Sequence, residues 1–294
     1  MTVNISASQV KELRERTGAG MMECKKALTE SSGDMELAIE NLRKSGAAKA
    51  GKKAGRVAAE GVIVIKDNGK RAVMVEINSE TDFVARDGNF TAFANAIAEA
   101  ALEAQEQDVS KFSAMTLPGG TKTIEEVRQE LVSKVGENVQ IRRIVLSSSS
   151  AATVGTYLHG SRIGVVVELD TDNKELARDV AMHIAASKPI VVSPDNVPQD
   201  IVAKEKEIYM AQAATSGKPQ EIIEKMVLGR LKKYLDEVSL TGQPFVKDPD
   251  TTVGNLLNKN RAKVLAFYRY EVGEGIEKVV EDFAEAVMQQ VQGS

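Results

Sequence analysis

The sequence predicts an α+β protein. It reads as a three-helix N-terminal module, two repeated subdomains of antiparallel sheet and helices, and a C-terminal helix, with a helical hairpin inserted in the second subdomain. Three observations predict this. Apolar residues recur with helical spacing up to about Gly61, where the period switches to that of strands. The segment Val73-Met74-Val75-Glu76-Ile77-Asn78 returns as Val165-Val166-Val167-Glu168-Leu169-Asp170, with the same kinds of element after each copy. A Lys- and Glu-rich stretch of helical spacing, residues 199–235, separates the helices of the second copy.

Ser6 is followed three residues later by Gln9, the signature of a capping box, and Val10 and Leu13 then fall on one helical face. Thr17-Gly18-Ala19-Gly20 breaks that helix. A second runs from Met21-Met22 to about Glu30, with Met22, Ala27 and Leu28 as expected core positions. Ser31-Ser32-Gly33-Asp34 breaks again, and Asp34 can cap a third helix carrying Leu37, Ala38, Asn41 and Leu42. Three short helices within residues 6–45 suggest a compact bundle of the ubiquitin-associated type, whose thin core depends on good packing. Arg43 to Arg56, basic and interleaved with Gly and Ala, reads as a solvated, partly helical linker. Its Gly46-Ala47-Ala48-Lys49-Ala50-Gly51-Lys52-Lys53 approximates a phosphate-binding loop. However, Lys53 has no hydroxyl to ligate Mg²⁺, and a helix rather than a buried strand precedes it, so no nucleotide site is expected.

From Gly61, strands Val62–Ile65 and Arg71–Ile77 flank Asp67-Asn68-Gly69, a hairpin turn signal. The connection Asn78-Ser79-Glu80-Thr81-Asp82-Phe83-Val84-Ala85 then leads to a helix from about Asn89 to Ala104. A large apolar Phe83 beside the carboxylate Asp82, in such a surface connection, admits two readings. Phe83 either staples the next helix to the core or protrudes as an aromatic anchor for a partner's pocket. Pro118-Gly119-Gly120 precedes a helix over Ile124–Val135, and a strand follows over Val139–Leu146. Ser147 to Ser150 reads as a linker.

The second copy begins with strands Val154–Tyr157 and Ile163–Leu169 around His159-Gly160-Ser161, then a helix over Leu176–Ser187. Its last helix opens at Thr252-Val253, and Val264–Tyr270 closes the copy as a strand. Between them, two helices broken at Thr215-Ser216-Gly217-Lys218-Pro219 suggest a projecting hairpin that reaches a partner or a second copy of the chain. An amphipathic helix, Ile276 to Val291, ends the sequence. The expected domains are residues 1–55, 56–147, 148–274 with the insertion at about 199–238, and 275–294.

With 43% hydrophobic and 27% charged residues the composition is that of a globular protein, and only 4% aromatics leave an aliphatic core. A formal net charge of −4 gives no global pull toward nucleic acid or an anionic membrane. No apolar run approaches the roughly 18 residues that span a bilayer. Met1 to Ser6 has no secretory signal pattern, and the single Cys24 fits a reducing cytoplasm. The two histidines, His159 and His183, share no metal-ligand spacing with Cys24 or with each other. His183 lies in an apolar helix and reads as a packing residue, and Cys24 as a small packed side chain. No nucleophile elbow, zinc-protease or dinucleotide motif is present, nor an aromatic RNA-binding motif. A protein-binding function remains, with no enzyme activity, no cofactor and no metal expected.

Five motifs carry a family resemblance: Val10-Lys11-Glu12-Leu13-Arg14-Glu15-Arg16-Thr17-Gly18-Ala19-Gly20-Met21-Met22, Thr81-Asp82-Phe83-Val84, Met182-His183-Ile184-Ala185-Ala186, Ser239-Leu240-Thr241-Gly242-Gln243-Pro244-Phe245 and Glu271-Val272-Gly273-Glu274-Gly275-Ile276-Glu277. In these, and over almost its whole length, the sequence resembles the bacterial elongation factor Ts family, guanine-nucleotide exchange factors of elongation factor Tu. The resemblance implies that Thr81, Asp82, Phe83 and Val84 enter the nucleotide-binding domain of elongation factor Tu beside its Mg²⁺ site, with Phe83 as the wedge. It implies docking of the N-terminal module on the same domain through Leu13, Met21 and Met22. Val135, Gly136 and His159 match positions that meet a different domain of the partner. Lys247 stands where the family carries an apolar residue. The implied protein is cytoplasmic and binds neither nucleic acid nor membrane directly, and a dimer or a two-to-two complex with the partner stays open. The competing class is a scaffold whose helical module binds ubiquitin-like or nascent-chain ligands.

Overall fold

Caps and apolar spacing set the first three helices. In the computed structural model, which describes residues 5–69, 71–148, 150–215 and 219–277, Ser6 and Gln9 close a reciprocal capping box ahead of α1 (Ala7–Thr17). α2 (Met21–Glu30) follows, and the Asp34 carboxylate caps α3 (Met35–Lys53). Val10, Leu13, Cys24, Ala27, Leu28 and Ala38 form the shared core. Met22 is not part of it but is 75% exposed. At 3.6 residues per turn Cys24, Ala27 and Leu28 lie on one face of α2 and Met22 on the other, so the expectation of a core Met22 is corrected.

α3 runs on to Lys53, through the stretch expected to be a partly helical linker. Tertiary packing overrides the helix-weakening glycines: α3 lies against α7, and Gly46 sits where an added Cβ would be 3.7 Å from Ser133 Cβ. Arg43 pairs with Glu126, Lys49 with Glu23, and the Lys53 ammonium donates to the Gly136 carbonyl.

The chain divides into two compact units. The first draws on the described residues of Met1–Val64, Val75–Ile144 and Val272–Ser294, the second on Ile65–Met74 and Val145–Glu271. After the helical module come β1 (Glu60–Asp67), β2 (Ala72–Ser79), the one-turn α4 (Asp82–Ala85), α5 (Gly88–Ala104), α6 (Val109–Ser113), α7 (Ile124–Val135) and β3 (Val139–Leu146). The strands form a sheet in the order β1-β2-β3. Every residue of β2 is buried, which explains its nearly unbroken apolar run. Phe90, Phe93 and Ile97 bury one face of α5. α6 was not expected: it is a single turn, too short to show a period, capped by Asp108 and anchored by the fully buried Phe112.

Glu76, in the middle strand of this sheet, is fully buried. Its Oε1 accepts from Asn78 Nδ2, Arg142 Nη1 (3.0 Å) and the Gly273 N–H (2.8 Å), and Oε2 accepts from Arg143 Nε. Burial opposes its ionisation, but the Gly273 N–H, Arg142, Arg143 and Asn78 together overcome this and hold the carboxyl below its usual range.

The second unit repeats the plan with β4 (Thr153–His159), β5 (Ile163–Leu169), α8 (Lys174–Ser187), α9 (Gln199–Ala214), α10 (Gln220–Val238), β6 (Pro244–Phe245), β7 (Asp248–Thr252), α11 (Val253–Lys259) and β8 (Val264–Glu271). Its antiparallel sheet is ordered β4-β5-β8, with Val166 opposite both Thr156 and Tyr268. The second hairpin strand is central in each sheet and the last strand joins it, as the duplication requires. Glu168, the counterpart of Glu76, is also buried and accepts the Ser148 N–H at 2.6 Å. Val165, Val167 and Leu169 pack with Val180, Ile184, Leu240 and Leu257. α8 lies so close to β4 that a Cβ on Gly155 would meet the Ala177 carbonyl carbon at 2.5 Å.

α9 and α10 pair as the expected hairpin around a small core of Ala213, Ile223 and Val227. The short β6–β7 hairpin was not expected, and its Asp248-Pro249-Asp250 residues lack strand character. Most of the expected C-terminal helix, Ile276 to Val291, lies outside the described residues.

Candidate functional site

β2 ends in the buried Ser79, and the chain then turns outward. Ser79 Oγ donates to the Thr81 carbonyl at 2.9 Å, and Thr81 caps α4 by accepting the Val84 N–H on its hydroxyl. A four-residue helix has two side chains at its outer end, Asp82 and Phe83. Phe83 is 81% exposed. The reading in which it staples α5 to the core is thereby excluded; Phe90 and the capping carboxylate of Asp87 begin that helix instead. Asp87 is held below its usual pKa by hydrogen bonds from the Asn89 side chain and the Asn89 and Phe90 N–H groups. Asp82 Oδ2 pairs with Arg86 Nη2 at 2.8 Å on the same turn, a contact in water that contributes little to stability.

What holds this turn comes from the end of α7. Gly136 terminates that helix at φ 78°, a left-handed conformation that favours glycine, and the chain reverses into Glu137 and Asn138. Glu137 Oε2 accepts the Thr81 N–H at 2.9 Å and its Oε1 accepts the Thr81 hydroxyl at 2.7 Å. In the reverse direction Glu80 Oε1 accepts the Asn138 N–H at 2.6 Å. The buried Asn138 also donates to the Arg56 carbonyl at 2.8 Å, and Lys134 Nζ donates to Asn89 Oδ1 at 2.6 Å. Two turns, 80–81 and 137–138, clasp each other through a carboxylate and a backbone N–H on each side.

The first unit therefore brings Thr81, Asp82, Phe83 and Val84 together with the α7 terminus, where Val135 is half-buried and Gly136 exposed. Met21 and Met22, 61% and 75% exposed, lie at the start of α2. Leu13 is fully buried in the module's core with Cys24, Ala27 and Leu28, so it is not a surface residue as the resemblance implied. His159 is exposed at the end of β4, opposite Ile163 in the second unit. Glu137, Glu80 and Asn138 escaped sequence reasoning. Their partners lie more than fifty positions away, and no short-range pattern marks such a pairing.

Cys24 and His183 are both packed. Burial pushes the Cys24 thiol pKa up, and the sulfur sits 3.6 Å from the Ala19 carbonyl. His183 is fully buried, its Nδ1 accepting the Val246 N–H at 3.2 Å and its Nε2 facing Gln243 Oε1 at 3.0 Å. That arrangement assigns the proton to Nε2, and burial lowers the ring's pKa, opposed by the Gln243 bond. Lys247, beside it, pairs with Asp179 at 2.6 Å. Among the described residues no group of His, Cys, Asp and Glu is arranged to hold a metal ion, and no helix is long and apolar enough to cross a membrane.

Fold and site define an α+β protein built on a repeated hairpin–helix–helix–strand unit, with an aromatic-tipped turn leaving the central strand of the first repeat. The family model described as Elongation factor TS matches residues 80–274, opening one residue before Thr81. A protein named Elongation factor Ts from Thioalkalivibrio sulfidiphilus (strain HL-EbGR7) is 61% identical over 99% of this chain and 100% of its own length. Those of the same name from Alkalilimnicola ehrlichii (strain ATCC BAA-1101 / DSM 17681 / MLHE-1) and Legionella pneumophila (strain Paris) are 59% and 58% identical, covering 99% and 98% of both chains. The chain belongs to the elongation factor Ts family, and so to the translation elongation factors.

Proposed function

We infer that this chain is a guanine-nucleotide exchange factor that binds elongation factor Tu carrying GDP, dislodges its Mg²⁺ and promotes GDP release so that GTP can bind. The observation that carries this reading is the 81% exposure of Phe83 on a turn anchored to a fully buried strand. A rigidly based aromatic in water is the form that a binding anchor takes. Mg²⁺ demands near-ideal octahedral geometry at short distances, so a small displacement of its ligands by a wedge at Phe83 and Asp82 expels it and weakens the hold on the GDP phosphates. Met21 and Met22 dock the helical module on the same partner domain, where their flexible side chains adapt to the surface. Val135, Gly136 and His159 meet a different domain of the partner.

The process makes and breaks no covalent bond, requires no cofactor and takes place in the cytoplasm. Residues 1–55 then serve as a docking domain, 56–147 carry the exchange turn, 148–274 add the second contact and the hairpin at about 199–238, and 275–294 form a C-terminal module. The complex forms one-to-one, or two-to-two where the hairpin supports self-association.

The test is release of a fluorescent GDP from elongation factor Tu in stopped flow, with wild type and Phe83→Ala. Wild type accelerates release, and the mutant, folded by circular dichroism, loses at least about tenfold of that acceleration, the size expected for an anchor residue. No acceleration by wild type would sink the reading. Equal acceleration by the mutant would move the trigger to Asp82 or the helical module.

A further inference from the structure

We propose that Glu137 is a positioning residue for nucleotide exchange, acting through its two-point hold on Thr81. The inference rests on the exchange-factor reading above and extends it to a residue outside those that reading assigns to the partner contact. α4 has only four residues, and an isolated helix of that length does not persist in water. Its direction is therefore set by whatever fixes its N-cap. Thr81 presents two donors, the backbone N–H and the hydroxyl, and Glu137 takes both on its two carboxylate oxygens at 2.9 and 2.7 Å. A bidentate, charge-assisted contact fixes orientation as well as distance.

The clasp closes from the other side through Glu80 and the Asn138 N–H at 2.6 Å. Glu137 itself follows Gly136, whose carbonyl accepts the Lys53 ammonium of α3. The Glu137 carboxylate thus joins the wedge turn to the end of α7, and the neighbouring Gly136 carbonyl ties that end to α3. The reaction needs Phe83 aimed at one place on the partner, and a displacement of about 1 Å at such a position costs up to about a hundredfold in rate. Glu137 supplies that aim without lending buried area of its own.

The experiment measures exchange kinetics over a range of factor concentrations for wild type, Glu137→Ala, Glu137→Gln, Phe83→Ala and the Glu137→Ala/Phe83→Ala double variant. Amide hydrogen exchange at Thr81 and Val84 is followed in parallel on the free full-length chain. Glu137→Ala is expected to lower the maximal rate of GDP release about tenfold with KM changed by less than about twofold, and to speed exchange of the Thr81 amide by about tenfold or more. Glutamine can still accept the Thr81 N–H while its amide donates to the hydroxyl oxygen, so Glu137→Gln is expected to return most of the lost rate and protection. In the Phe83→Ala background the alanine at 137 is expected to add no further loss, because both changes remove the same act.

A wild-type maximal rate in Glu137→Ala, or a full additional loss in the double variant, would overturn the proposal. So would a Glu137→Gln variant that folds as wild type does yet behaves as the alanine. If wild type itself releases no GDP, the exchange reading fails and the role of Glu137 in exchange fails with it. The Thr81 amide data then show separately whether the clasp exists.

Discussion

Phe83 and His183 are opposite solutions to the placing of a ring. Burying a phenyl side chain is worth about 1.5–3 kcal/mol, and at position 83 that gain is left unused. His183 is buried, and its cost is met by two hydrogen bonds that require a neutral ring. A protonated Nδ1 would turn a donor toward the Val246 N–H. Both hydrogen-bond partners of the ring, Gln243 and the Val246 N–H, are uncharged, and the ion pair Lys247–Asp179 joins the β6–β7 turn to α8. Because the folded pKa lies below the ordinary 6.5, the unfolded chain takes up the proton first, so the contribution is complete above about pH 6.5 and is lost as pH falls through the lower folded value. Glu76 acts with the same sign at lower pH: its folded pKa is depressed, so its contribution is complete above the ordinary 4.5 and is lost as pH falls through the folded value. The urea midpoint of wild type should be flat from pH 8 to 7 and decline below about 6.5, and His183→Asn should remove the first part of that decline. A wild-type midpoint constant down to pH 5 would contradict the assignment.

At the scale of elements, long-range contacts repeatedly set what a local pattern left open. α3 extends through two glycines because α7 covers it, and α4 has a direction because the turn after α7 holds its cap. β4 and α8 approach over Gly155 to a distance that no side chain allows. Gly155→Ala must push α8 off the sheet or strain the strand, and is expected to destabilise the second unit by about 1–3 kcal/mol, read as a lower urea midpoint with an unchanged slope. An unchanged midpoint would show that the helix shifts freely. The first hairpin, the paired helices and the closing strands were legible because apolar spacing and turn residues act over a few positions. The β6–β7 hairpin was not, since Asp248-Pro249-Asp250 carries no strand pattern and its pairing is set by Val253 N–H, which reaches back to the Gln243 carbonyl.

For the molecule as a whole, the proposed nucleotide exchange is a coupling between two ligands of one partner. If the chain weakens GDP on elongation factor Tu by some factor, GDP weakens the chain by the same factor. Titrations of the chain against nucleotide-free and GDP-loaded elongation factor Tu should therefore differ by the ratio found for GDP with and without the chain. Equal affinity for both forms would leave no free energy to drive release and would end the exchange reading.

The α+β class, the duplicated unit, the helical module and hairpin, and the turn at Thr81–Val84 could be read from the chain alone, because period, caps and motifs are written in neighbouring residues. Packing settled that Phe83 points to water rather than to the core, that Met22 faces out while Cys24 faces in, and that α3 continues to Lys53. It alone decided that Glu137 holds Thr81. Burial and pairing depend on which distant segments meet, and a side chain's neighbours in space are not its neighbours in the chain.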